Sequence, residues 1–155
     1  MASARLTDEE YRFVYSRAPR LCVDLAIGSV EGLLLTKRDI PPAEGLWHMP
    51  GGRVFYKESL AEAAARIAGT ELGITIELGD FIGYIEFLND GEFVHTVSLV
   101  FCARQIGGML RGSAQAKAVR MFKEPPADTH PEHKKFLGQN WDVIRTKCRG
   151  FDGKH

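Results

Sequence analysis

The stretch that most restricts the fold is residues 59–72, SLAEAAARIAGTEL. Ser59 and Glu62 form a capping-box pair, the alanines are strong helix formers, and Gly73 stands where a helix stops. Segments that read as strands lie on both sides of it. They cover residues 21–26, 33–36, 74–78, 80–88, 93–104 and, more weakly, 118–122, with a short extended piece at 46–49. A turn is expected over 28–32, and Asn89-Asp90-Gly91 is a hairpin turn between two of the strands. Residues 132–148 read as a second long helix, and Thr7 with Glu10 caps a short one near the start. Strands, one central helix, more strands and a final helix imply a mixed sheet covered by helices, an α+β arrangement.

The 155 residues suit one domain, with 1–19 as a peripheral N-terminal segment and 150–155 as a flexible tail. Twenty basic and twenty acidic side chains give zero net charge, which lacks the broad basic field of a duplex nucleic-acid binder. No apolar run reaches the ~18 residues of a membrane-spanning helix. The first residues carry acids where a secretion signal would be apolar. The three cysteines, Cys22, Cys102 and Cys148, are odd in number and widely spaced. Reduced cysteines in a cytoplasmic protein are therefore expected.

One face of the central helix carries chemistry. At 100° per residue, Leu60, Ala64, Glu71 and Ile74 fall within about 60° of Ile67. Glu71 thus lies on the apolar stripe. It needs a cation or donor there, unless it reaches solvent at the helix end. Glu58 and Arg66 lie on other faces, and an ion pair bracing the preceding loop is the reading they support.

Residues 52–74, GRVFYKESLAEAAARIAGTELGI, resemble a degenerate Nudix box. Gly52, Glu58, Arg66, Glu71, Gly73 and Ile74 fall at the family's spacing. Ile67 and Thr70 stand where the full box has glutamates. LLLTKR, Gly45-Leu46-Trp47 and Met49-Pro50-Gly51-Gly52 also resemble the family's approach to the box, and the likeness runs over roughly residues 20–137. The resemblance implies an α/β/α sandwich around a mixed sheet, with the box as a loop–helix–loop. It also implies hydrolysis of a nucleoside diphosphate linked to another moiety, with Mg²⁺ or Mn²⁺.

The two lost carboxylates resemble those of the GDP-mannose mannosyl hydrolase branch, as does Asp24 on the first strand. That likeness implies one metal held by Glu71, the carbonyl of Gly51 or Gly52, and Gln115. It also implies that Arg38, Arg53 and Arg66 hold the diphosphate, and that water attacks the anomeric carbon. The branch's general-base histidine is replaced by Ala116, which leaves His95, His130 and Glu86 as candidates. A homodimer is a further implication.

Other residues have plainer readings. His130 and His133 read as exposed loop histidines rather than a metal pair, Trp47 and Cys102 as core, and Phe55 and Tyr56 as loop residues near substrate. Three functions remain open: a Mg²⁺-dependent nucleotide-sugar hydrolase, a pyrophosphohydrolase attacking phosphorus of another nucleoside di- or triphosphate, and a nucleotide-binding module with a decayed box.

Overall fold

A computed structural model describes residues 5–39, 43–88, 95–111 and 116–148, with 116 and 117 as backbone. The chain forms α1 (Asp8–Tyr15), β1 (Arg20–Ser29), β2 (Gly32–Arg38), β3 (Trp47–His48), β4 (Gly51–Arg53) and α2 (Leu60–Ile67). Then follow a π-helical turn (Ala68–Leu72), β5 (Ile74–Phe87), β6 (Thr96–Gly108), β7 (Ala116–Phe122) and α3 (Pro131–Lys147). Both capping boxes form. Thr7 and Ser59 accept from the backbone N–H of Glu10 and Glu62, whose carboxylates accept from the cap residues' own N–H groups.

The strand order is β3-β2-β1-β6-β5, with β4 also on β1 and β7 also on β2. β1 runs parallel to β6, and the other pairings are antiparallel, so the sheet is mixed. β1 spans both halves of the fold. Its residues Cys22–Asp24 pair with β4, and its far end pairs with β2.

Each face of the sheet has a core. Val23, Leu25, Ile27 and Leu34 pack with Ala63, Ala64 and Ile67 of α2. The small alanines let the helix approach the sheet closely. Ala26, Leu35, Met49, Ile85, Phe87 and Val100 pack with Phe136, Leu137 and Ile144 of α3. The result is an α/β/α sandwich.

Three expectations are corrected. The α-helix ends at Ile67, and residues 68–72 widen into a π turn. Thr70 Oγ1 donates back to the Arg66 carbonyl at 2.8 Å, and Gly69 lowers the resistance to unwinding. Gly73 then ends the element at φ 71°, a left-handed conformation that favours glycine. Residues 74–88 are not two strands. Gly79 interrupts the pattern, but β5 runs through it with register shifts on either side of Phe81. Cys102 and Cys148 are not reduced: they form a disulfide joining β6 to the end of α3, across 46 residues of sequence. Folding the end of α3 onto Cys102 makes the pair, and leaves Cys22 as the free, buried thiol. The turn expected at residues 89–91 lies outside the described residues, as does the tail.

Candidate active site

The loop before α2 is braced from within the box. Arg66 Nε donates to Glu58 at 2.8 Å, and its Nη2 donates to Glu58 and to the Arg53 carbonyl, at 3.0 and 2.6 Å. Glu58 also accepts from the Phe55 N–H at 3.0 Å, and the Arg66 guanidinium lies 3.7 Å from the Phe55 ring centre. The Arg66 hydrogen bond holds the Glu58 carboxyl below its usual range, against the opposing effect of burial.

β4 sets the two box glycines against different partners. A Cβ on Gly51 would meet Asp24 Oδ1 at 1.8 Å and the Val23 carbonyl at 2.7 Å, so only glycine fits beneath Asp24. Gly52 faces the other way, where a Cβ would lie 3.3 Å from Ile67 Cγ1. The register pairs Val23 with Gly52, flanked by the bonds Leu25 N–H to Pro50 and Val54 N–H to Leu21. Antiparallel pairing therefore turns the Gly52 carbonyl toward β1 and sends those of Gly51 and Arg53 off the opposite edge. Arg66 takes the Arg53 oxygen on that edge. Ile67 is fully buried and Thr70 is turned back on the helix, so neither stands in for a carboxylate ligand. Half-buried Glu71 follows on the π turn. Among the described residues no three His, Cys, Asp or Glu side chains converge as a metal cluster. Gln115 lies outside the described residues. With the Arg53 oxygen taken by Arg66, the Gly51 carbonyl and Glu71 are the oxygen donors of the box that could serve a single Mg²⁺, an ion that keeps several waters and takes substrate oxygens.

The α3 face of the sheet carries a polar strip that strand alternation lines up. Arg20, Cys22 and Asp24 of β1 share it with Thr96 and Ser98 of β6 and Arg53 of β4. Over Asp24 sits His133 of α3, with Nε2 4.0 Å from Asp24 Oδ2. The Met49 N–H donates to His133 Nδ1 at 3.2 Å, which assigns the neutral ring's proton to Nε2, facing Asp24. Burial pushes the Asp24 carboxyl up to about 7, with Ser98 and Arg20 opposing. Burial, with His48 and His130 nearby, holds His133 well below the imidazole range. Cys22 is pushed up to about 11, burial outweighing Arg20 and Arg53.

His130 and His133 are therefore not exposed loop residues. They are 8% and 5% exposed, at the start of α3. His130 is its N-cap and accepts from the Glu132 N–H, while Pro131, which reads as an interruption, occupies the helix start.

The remaining candidates are spread along the sheet. Arg38 ends β2, bonded through its backbone to Leu46 and Gly45 and opposite Ala116, the residue after Gln115. His95 accepts from the Arg20 N–H through its carbonyl at 2.7 Å. Glu86 is exposed on β5, and its neighbours Ile85 and Phe87 face the α3 core. It shares a row with Val97 and Leu21, so β6 and β1 separate it from β4 by roughly 14 Å. Trp47 is core, packed edge-on against Phe122, and Tyr56 is 77% exposed. A groove of about 940 Å³ opens between β5 and the start of α3, lined by Leu46, Ile85, Phe87, His130, Lys135 and Phe136 among others. Asp24, marked by the likeness on the first strand, is joined in the site by Arg20, His133, Tyr11 and Tyr15, which were not expected there. The alternation of Arg20, Cys22 and Asp24 within β1 is the pattern that marks Arg20.

A family profile for the NUDIX domain matches residues 18–138. The chain is 30% identical over 141 residues to the low-salt glycan biosynthesis protein Agl8 of Haloferax volcanii, covering 87% of this chain and 90% of that one. It is 31% identical over 104 residues to an ADP-ribose pyrophosphatase of Methanocaldococcus jannaschii, 67% and 62% of the two chains. Among solved structures it is similar to a MutT NUDIX hydrolase from Burkholderia pseudomallei. The TM-score is 0.73 and the identity 27%, over 79% of this chain and 98% of the other.

Proposed function

The chain belongs to the Nudix hydrolase family, and on that premise we propose that it cleaves a nucleotide sugar of the GDP-mannose kind at the anomeric carbon, with one Mg²⁺. The observation that carries this is the donor set. Of the three glutamate positions of the box only Glu71 is a carboxylate, Ile67 being buried against Gly52 and Thr70 bonded to its own helix. The relative named for glycan biosynthesis supports a sugar substrate.

In this reading Glu71, the Gly51 carbonyl and Gln115 hold the ion, with Gly52 shaping the loop against Ile67. Mn²⁺ would serve in the same place. When bound, the ion supplies positive charge to the diphosphate leaving group. Arg53 and Arg38 add to that charge, and Arg66 with Glu58 fixes the loop that carries Arg53. A nucleoside diphosphate stabilised in this way is a competent leaving group from carbon. His95, flanking Arg20, is the better-placed candidate for activating water. Glu86, one strand further out, is the second.

A second reading keeps the family and moves the attack to phosphorus. The relative named as an ADP-ribose pyrophosphatase supports it. Hydrolysis of GDP-mannose with Mg²⁺ in ¹⁸O-labelled water separates the two. The expected products are unlabelled GDP and labelled mannose. Labelled GMP or labelled mannose phosphate would overturn attack at carbon, and binding without turnover would point to the decayed module.

A further inference from the structure

α1 has no buried residue, yet two of its side chains grip arginines of the site. Arg20 Nη1 donates to Tyr11 Oη at 2.5 Å and its Nε donates to Thr96 Oγ1 at 3.1 Å. Arg53 Nη1 donates to Tyr15 Oη at 3.4 Å. The Arg53 guanidinium also lies 5.7 Å from the ring centres of Tyr11 and Tyr15 and 4.9 Å from that of Phe55. Tyr11 and Tyr15 pack edge to face at 4.8 Å, one turn apart on the helix.

The two arginines belong together. Arg53 is opposite Cys22, and Arg20 is two residues before Cys22 on the same face, a diagonal of about 8 Å between backbones. Both guanidiniums act on the Cys22 thiol between them. Among the described residues neither forms a salt bridge: their close partners are hydroxyls, the Cys22 thiol and ring faces, with the Asp24 and Glu58 carboxylates acting on Arg20 and Arg53 only at longer range. Neutral partners fix the direction of a guanidinium without cancelling its charge. Two such groups, half-exposed and side by side, match an anion with charge on two centres.

We infer that Arg20 and Arg53, aimed by Tyr11 and Tyr15 of α1, form a two-arginine clamp for the diphosphate of the substrate. The clamp rests on the reading of the chain as a nucleoside-diphosphate hydrolase and adds Arg20 to the binding residues. Tyr11 and Tyr15 are positioning residues that act through the arginines. α1 is thereby a wall of the site rather than an appendage.

The test is calorimetric binding of inorganic pyrophosphate, with Mg²⁺, to the full chain. Arg20→Gln and Arg53→Gln should each weaken binding about tenfold or more and flatten its dependence on NaCl. Tyr11→Phe/Tyr15→Phe, which keeps both rings, should weaken it about threefold or more with Tm unchanged. Phe13→Ala, on the exposed side of α1, should leave Kd unchanged. If the wild type binds no pyrophosphate, the functional reading fails and the clamp with it. If the wild type binds and Arg53→Gln weakens it, while Arg20→Gln and the double tyrosine variant bind normally, the clamp alone is overturned.

Discussion

Asp24 shows how one buried side chain shapes the site on several sides. It takes up the space that a side chain at Gly51 would need, faces His133, and lies in the strip that carries Arg20 and Arg53. Its carboxyl titrates near 7 rather than near 3.8 because burial favours the neutral form. A raised carboxyl pKa contributes stability that is full below about 4 and lost as pH rises through about 7. His133 works in the opposite sense. Its neutral form is favoured, so its contribution is present above about 6.5 and lost below. Asp24→Asn removes the first effect alone. The gain in Tm of Asp24→Asn over the wild type should therefore be larger at pH 8 than at pH 4.5. A gain that is equal or smaller at pH 8 would contradict the assignment. The alternation of Arg20, Cys22 and Asp24 was open to inspection in the sequence, but the apolar run of Leu21, Val23 and Leu25 masks it. Which face lies under α3 is set by packing far along the chain.

At the scale of elements, the loop–helix unit depends on Arg66 gripping both Glu58 and the Arg53 carbonyl. Glu58 and Arg66 are only 13% and 25% exposed, so removing one partner costs more than at a surface salt bridge. A lowered carboxyl pKa contributes stability that is present above the ordinary value of 4.5 and lost as pH falls below it. Glu58→Gln should lower Tm at pH 7, and the difference should shrink as pH falls toward 3. A difference that persists at pH 3 would assign the loss to packing rather than to charge. Capping boxes and the Gly73 stop were readable because they depend on neighbours within four residues. The π turn was not. It arises from Thr70 bonding back to Arg66 while the chain must still meet β5, a compromise between local preference and sheet position. β5 likewise passes through Gly79, because pairing with β6 on both sides outweighs one weak residue.

For the whole molecule, the disulfide between Cys102 and Cys148 fixes the C-terminal end of α3 to β6, while the N-terminal end, capped by His130, carries His133 over the polar strip. Three cysteines of odd count hide such a pair, since only the packing of α3 brings the two together. Closing a loop of 46 residues restricts the unfolded chain by up to about 4 kcal/mol. Reduction with dithiothreitol should thus lower Tm by roughly 10 °C. An unchanged Tm would mean that the bridge adds nothing to the fold. What joins these scales is a box that keeps a carboxylate at only one of its three metal-site glutamate positions, Glu71, in the site proposed for a diphosphate. The most direct test is titration of Mn²⁺ in the presence of GDP, followed by electron paramagnetic resonance, for the wild type and Glu71→Gln. The account predicts one Mn²⁺ per chain in the wild type, and loss of that site together with metal-dependent turnover in Glu71→Gln, with Tm retained. Two or more ions per chain, or one ion bound as tightly in Glu71→Gln, would contradict it.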